Sequence, residues 1–182
     1  MRIIAGTAKG HTLTVPKTGV RPTSERVRES IFNRLVALGI NWKSTKVLDA
    51  FAGSGACALE ALSRGAQQAT AVDKDLDALR TISLNGEKTR LHVDAVHSDV
   101  TKLVRTRQSE QYNLLFIDPP YEFPSESVTT FLVDLKDNAF LEASGIAIIE
   151  RSSRSENFPI PEGFTLDDVR TYGDTRVFWL IW

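Results

Sequence analysis

The stretch "KVLDAFAGSGACALEALSRGA", residues 46–66, decides the fold. Its first five residues are a short apolar strand that carries Asp49 near its end. Residues 55–66 are good helix formers closed by Gly65. Gly53-Ser54-Gly55 turns one directly into the other. The alternation continues outward. "ATAVD" (69–73) reads as a second strand, and "KDLDALRTISLNG" (74–86) as a helix with Leu76, Leu79, Ile82 and Ser83 on one face, stopped by Asn85-Gly86. "LHVDAVHSD" (91–99) reads as a third strand, 100–107 as a short helix, and "YNLLFID" (112–118) as a fourth strand. A helix over 127–138 and an apolar strand over 145–151 follow. "FTLDDVRTY" and "TRVFWLIW" flank Gly173-Asp174 as an antiparallel hairpin. Such alternation predicts an α/β protein, a mainly parallel sheet covered on both faces with an antiparallel end.

Before residue 46 the pattern differs. "RIIAGTAKGHTLTV" reads as a small hairpin around glycines. A helix opens at Pro22-Thr23, with Val27, Ile31, Leu35 and Leu38 as its apolar stripe and Gly39 as its end. Arg26 and Arg28 fall off that stripe and are expected to face outward. Residues 1–46 hold nine Lys/Arg and two acids, a net +7, while the rest of the chain carries −8. The overall charge of −1 thus hides a basic head on an acidic body. That head reads either as a solvated extension or as an arm that follows phosphates.

The remaining composition narrows the class. The chain has 182 residues, 42% hydrophobic and 25% charged, which suits one soluble domain. No apolar run approaches the roughly 20 residues that span a bilayer, so no membrane association is expected. One cysteine, Cys57, excludes an internal disulfide and fits a reducing cytoplasm. Cys57 reads as a small buried hydrophobe, with a thiol of lowered pKa near a helix start as the alternative. Three histidines without HxxxH or CxxC spacing give no expected metal site.

The glycine loop carries the first chemical signal. Gly53-x-Gly55-x-x-Ala58 satisfies a dinucleotide fingerprint, with Asp73 ending the next strand. Asp49 tilts the choice, because a carboxylate beside the loop repels a pyrophosphate and suits a cationic ligand. S-adenosylmethionine carries a sulfonium and an ammonium and no phosphate. Asp49, Phe51, Ala52, Gly53, Ser54 and Gly55 are the expected loop contacts. Asp73, followed by Lys74, is suited to accept from both ribose hydroxyls. Asp99, between Ser98 and Val100, is suited to the adenine amino group, and equally to capping a helix.

The second signal is "DPPY", residues 118–121, at the end of the fourth strand. Two prolines end ladder pairing and stiffen the backbone. An exocyclic amino group is a poor nucleophile because its lone pair is delocalised into the ring. Asp118 carboxylate and the Pro119 carbonyl can accept its two N–H groups and turn the lone pair toward a methyl donor. Pro120 stiffens the turn, and Tyr121 offers a ring for base stacking. Orientation and electrostatics are then the main catalytic terms. The connection 121–127 reads as a lid over the base or as an ordinary surface link.

Asp49 to Gly55 together with DPPY resembles class I methyltransferases that act on amino nitrogens of nucleic acids. "RIIAGTAKGHTLTVP", "RPTSERVRESIFNRL" and "TYGDTRVFWLIW" are similar to one family in particular, the bacterial RsmD-type methyltransferases, over essentially the whole chain. The resemblance implies a Rossmann-like class I S-adenosylmethionine-dependent fold, a mixed seven-stranded sheet with an antiparallel last strand. It implies residues 1–40 as a basic RNA-binding extension and 41–182 as the catalytic domain. It further implies a cytoplasmic monomer that methylates the N2 amino group of a guanine in 16S rRNA of the small ribosomal subunit or its precursor. Arg2, Lys9, His11, Arg21, Arg26, Arg28 and Arg34 are then candidate phosphate contacts. Arg21 and Arg26 are also candidates for the active-site mouth. A DNA adenine-N6 methyltransferase shares the DPPY chemistry, though no separate target-recognition domain fits this length. A non-catalytic RNA-binding assembly factor is the reading from another class.

Overall fold

The computed structural model describes residues 1–16, 25–106, 110–120 and 122–182. Seven strands form one sheet: β1 (Lys46–Ala50), β2 (Gln68–Asp73), β3 (Asp94–His97), β4 (Tyr112–Ile117), β5 (Leu141–Ser152), β6 (Thr165–Tyr172) and β7 (Thr175–Ile181). Their spatial order is β3-β2-β1-β4-β5-β7-β6. The first five run parallel, and β7 pairs antiparallel with both β5 and β6. This is the mixed seven-stranded sheet expected above. The strand order reverses between β1 and β4, and open α/β sheets offer a crevice at the carboxyl ends flanking such a switch point. Ala50 registers with Ile117, so Asp49 and the DPPY segment leave the sheet as neighbours.

Among the described residues, five α-helices cover the sheet: α1 (Glu25–Ala37), α2 (Ala56–Ser63), α3 (Leu76–Thr89), α4 (Val100–Leu103) and α5 (Ser125–Asp137). Side chains of a strand alternate between faces, and β4 shows it. Leu115 and Ile117 pack with Val100, Phe131, Leu132 and Leu135 of α4 and α5. Leu114 and Phe116 pack with Ile31, Phe32 and Leu35 of α1, Ala58 of α2 and Ile82 of α3. The edge strand β6 is protected by charge, with Asp167, Asp168 and Arg170 along it.

Several expectations need correction. Asn85-Gly86 does not stop α3, which runs to Thr89 with both residues buried inside it. Asn85 is held there by distant partners: it accepts from Thr14 N–H and donates to Thr14 and Ser54 carbonyls. Leu76 and Ser83, placed on the shared face from spacing, are exposed; Ile82 is buried as expected, and Ala78 and Thr81 join it. The N-terminal hairpin forms, but with short arms: an antiparallel bridge from Arg2 to Thr12, flanked by the Ile3 N–H donating to the His11 carbonyl and the Leu13 N–H to the Met1 carbonyl. Leu38 leaves the α1 stripe for solvent, and Phe32 and Arg28 join it. Helix α5 begins at Ser125, which shortens the proposed 121–127 connection.

The first sixteen residues are tied along α2 and α3 rather than free. The N–H groups of Ile4 and Ala5 donate to Glu60, and those of Thr7 and Ala8 to Ser63. Gly6 has φ +85°, and a Cβ added there would lie 1.8 Å from the Ser63 carbonyl oxygen. Only glycine allows the segment to approach α2 this closely.

Candidate cofactor and acceptor site

Asp49 is the penultimate residue of β1 and is almost wholly buried. Its Oδ2 accepts the Ala58 N–H at 3.0 Å, capping the first turn of α2. Burial pushes its pKa up to about 8, and the neighbouring Asp118 and Asp73 carboxyls push the same way. The Ala58 N–H and the Arg28 guanidinium counter them only in part. A carboxyl so poised favours an incoming cation.

The loop after it is held open by backbone that few residues adopt. Phe51 has φ 63°, a costly value for a non-glycine residue, and Gly53 and Gly55 are also left-handed. A Cβ on Gly55 would press on Ile82 at 3.1 Å, so glycine lets the loop nest on α3. The Gly53 N–H donates to Asp73 Oδ2 at 2.8 Å, and Asp75 N–H to Asp73 Oδ1 at 2.9 Å. Each carboxylate oxygen keeps a second lone pair for a ligand hydroxyl. Ser98 N–H bonds the Asp73 carbonyl, and His97 Nε2 lies 3.0 Å from the carbonyl of exposed Lys74. Asp99 caps α4: its Oδ1 accepts from the N–H and hydroxyl of Thr101, and the Thr101 hydroxyl holds its pKa low. Val100 is buried in the core beneath it.

Across the switch point, Asp118 is partly exposed, Pro119 buried and Pro120 exposed. Tyr121 lies outside the described residues. The Pro120 carbonyl accepts the Phe123 N–H at 2.9 Å, closing a turn. Arg151 donates through Nη2 to the Phe123 carbonyl at 2.7 Å, tethering that turn to β5. Burial lowers the Arg151 pKa, and Asp118 opposes the drop. The Phe51 ring meets Phe123 edge-on, with centroids 5.5 Å apart, so the glycine loop and the DPPY turn touch.

Between them lies a narrow cavity of about 40 Å³ whose walls include Asp49, Gly53, Ser54, Cys57, Asp118 and Glu150. Glu150, Arg151, Cys57 and Met1 are the site residues that motif reading missed. Glu150 had a signal: an acid closing the apolar run "GIAIIE" at the same sheet edge. Burial pushes the Cys57 thiol well up, against the alternative of a reactive thiol near the helix start. A roomier groove of about 590 Å³ lies between α1 and the β6–β7 hairpin, lined by Arg26, Glu29 and Tyr172 among others. It is open, has no glycine loop, and stands apart from the acids just described.

The basic residues divide. Lys9, His11 and Arg26 are exposed, and Arg2 is exposed while paired with Glu25 at 2.7 Å. Arg21 lies outside the described residues. Arg28, expected outward, is fully buried because it shares the α1 face of Phe32, four residues on. Arg34 is engaged by Asp167 and Asp168 at 2.6 and 2.8 Å and lies over Trp179. Its guanidinium is thus spent within the protein.

The profile of the protein family described as conserved hypothetical protein 95 matches residues 1–181. The chain belongs to that family. It is 31% identical to ribosomal RNA small subunit methyltransferase D of Escherichia coli K12, over 95% of this chain and 85% of that protein. It is 33% identical to YlbH of Bacillus subtilis, over 97% of this chain and 96% of that one. The solved structure of Escherichia coli yhhF superposes with a TM-score of 0.84 at 29% identity, covering 100% of this chain and 97% of that one. The resemblance to RsmD-type methyltransferases read from the sequence therefore holds, and so does the class I S-adenosylmethionine-dependent methyltransferase fold. No helix among the described residues is long and apolar enough to cross a membrane.

Proposed function

We propose that this protein transfers a methyl group from S-adenosylmethionine to the N2 amino group of a guanine in 16S rRNA, within the assembled or assembling small ribosomal subunit. The observation that carries the reading is the meeting of the Asp49–Gly55 loop and the Asp118 turn across the β1–β4 switch point. Its relatives support the substrate class. Residues 1–40 act on this reading as the RNA-facing extension and 41–182 as the catalytic unit, working as a cytoplasmic monomer.

The residues fit the cofactor. Gly53 and Gly55 leave bare backbone at the crevice, and Asp49, in electrostatic reach of Asp73 and Asp118, holds a proton that an arriving cation displaces. When bound, S-adenosylmethionine supplies a methyl group made electrophilic by its sulfonium. Asp49 receives the positive end of the ligand, and Asp73, beside Lys74, receives the ribose hydroxyls. Asp99, with Ser98 and Val100 about it, borders the adenine.

Asp118 and the Pro119 carbonyl accept the two N–H groups of the target amine and aim its lone pair at the methyl carbon. The new C–N bond forms as the C–S bond breaks, and its electron pair returns to sulfur. The amine then sheds one proton to solvent, so Asp118 needs only to orient and stabilise charge. Pro120 keeps the acceptors in place, and Tyr121 provides the stacking face. Arg2, Lys9, His11 and Arg26, with Arg21, face the RNA backbone.

Small subunits from cells lacking the protein, free 16S RNA and duplex DNA are offered in parallel with methyl-labelled S-adenosylmethionine. N2-methylguanosine on the ribosomal material is the expected product, and Asp118→Ala should lower its rate by about 10²–10³-fold. N6-methyladenine on DNA, or no transfer to any of the three, overturns the reading.

A further inference from the structure

Among the described residues, Arg28 is the one basic candidate taken wholly out of solvent. Its Nη2 donates to the carbonyl of Arg2. Its Nε and Nη1 have no hydrogen-bond partner among the described residues. A guanidinium always keeps its charge and carries five N–H donors, so a buried one with two idle nitrogens is costly. The acids near it do not relieve it. Glu25, within its electrostatic reach, is bonded to Arg2. Asp49 is in electrostatic reach, yet burial keeps it largely protonated near neutral pH.

The position of Arg28 says what should relieve it. The carbonyl it holds belongs to the residue after Met1, and Met1 lines the crevice and takes the Ser54 hydroxyl on its sulfur at 3.8 Å. Arg28 also acts electrostatically on Cys57, in the first turn of α2. The guanidinium is therefore packed under the N-terminal segment that walls the crevice, within electrostatic reach of Asp49 and of a helix start whose first N–H groups lack intrahelical acceptors. Two independent features, a buried unsatisfied cation and a helix N-terminus, converge on an anion. The cofactor of the proposed reaction has one anionic group, the carboxylate of its methionyl end.

We infer that Arg28, together with the start of α2, binds the α-carboxylate of S-adenosylmethionine, while Asp49 takes the adjacent ammonium. The two residues divide a zwitterion between them. The planar guanidinium fork matches a carboxylate in two parallel bonds. Arg28 is thus a cofactor-binding residue rather than a phosphate contact. This rests on the cofactor reading above.

The test compares S-adenosylmethionine with its decarboxylated analogue, which lacks only the carboxylate, by calorimetry on the full chain. Wild type should bind the parent at least tenfold more tightly than the analogue. Arg28→Met should reduce that preference to twofold or less, and Arg28→Lys, which keeps charge but not the fork, should leave an intermediate ratio. A ratio depends little on overall damage to the fold, and the Lys variant serves if the Met variant fails to fold. Wild-type binding with no preference, or a preference untouched in both variants, overturns the assignment while leaving the cofactor reading intact. A preference that survives while RNA affinity falls overturns it too, and returns the guanidinium to a phosphate. Wild type that binds neither compound overturns the cofactor reading and the assignment together.

Discussion

Glu60 and Asp49 are both buried acids that touch α2, and their surroundings differ completely. Glu60 is fully enclosed, and its carboxylate accepts from Ile4 N–H at 2.7 Å, Ala5 N–H at 3.1 Å and Arg64 Nε at 2.8 Å. Arg64 in turn lies over the Phe32 ring. Asp49 receives one bond, from Ala58, and faces two further carboxyls. The same asymmetry separates Arg64, bonded to Glu60, from Arg28, left with idle donors in the interior. A buried charge that is saturated by its own chain holds structure together. One left short is waiting for a partner from outside.

Removing the saturated acid should break this comparison most visibly. Glu60→Ala strands two backbone N–H groups and a guanidinium, and should cost about 3–5 kcal/mol in urea unfolding. A loss below 1 kcal/mol would mean that the N-terminal segment is not anchored as described.

Removing the unsatisfied acid should act the other way on the ligand-free protein. The Asp49 pKa is raised, from 3.8 to about 8. Its folded state therefore holds a proton that the unfolded chain has released, and stability falls as pH rises between those values. Asp49→Asn should flatten that fall and raise Tm by a few degrees near pH 8. It should also weaken S-adenosylmethionine binding and remove the tightening expected for wild type as pH rises from 6 to 8.5. Parallel thermal scans and calorimetry check both halves; a variant less stable than wild type at pH 8 would contradict the burial argument.

The smallest effect sharpens the same contrast on the surface. Arg26 is exposed, whereas Arg34 is spent on Asp167 and Asp168. Arg26→Ala should lower the slope of log affinity for RNA against log salt by about 0.7–1, and Arg34→Ala should leave it unchanged. Equal slopes for both variants would remove Arg26 from the RNA footprint.

Much of this was legible in the residues because local rules and tertiary structure agreed. Gly53 and Gly55 sit where left-handed backbone is needed, Asp49 and Asp118 end neighbouring strands, and the Gly173-Asp174 turn joins β6 to β7 as composition suggests. The misreadings share one cause. Asn85 and Gly86 look like a helix stop, but Thr14 and Ser54, far away in sequence, satisfy Asn85 inside α3. Arg28 looks solvent-facing by chemistry, although its spacing from Phe32 and Leu35 already puts it on the buried face. Long-range partners rewrite the meaning of a polar residue, and no local window contains them.

The tether of the first sixteen residues has a temporal side. Their anchors, Glu60, Ser63, Asn85 and Lys88, lie 55 to 74 positions downstream. During synthesis this opening stretch leaves the ribosome well before α2 and α3 exist to receive it, and contacts so distant in sequence close late. What is made earlier is finished later. Until then Ile3 and Leu13, later buried against Leu59, stay uncovered, and this stretch of the nascent chain is open to chaperones and proteases.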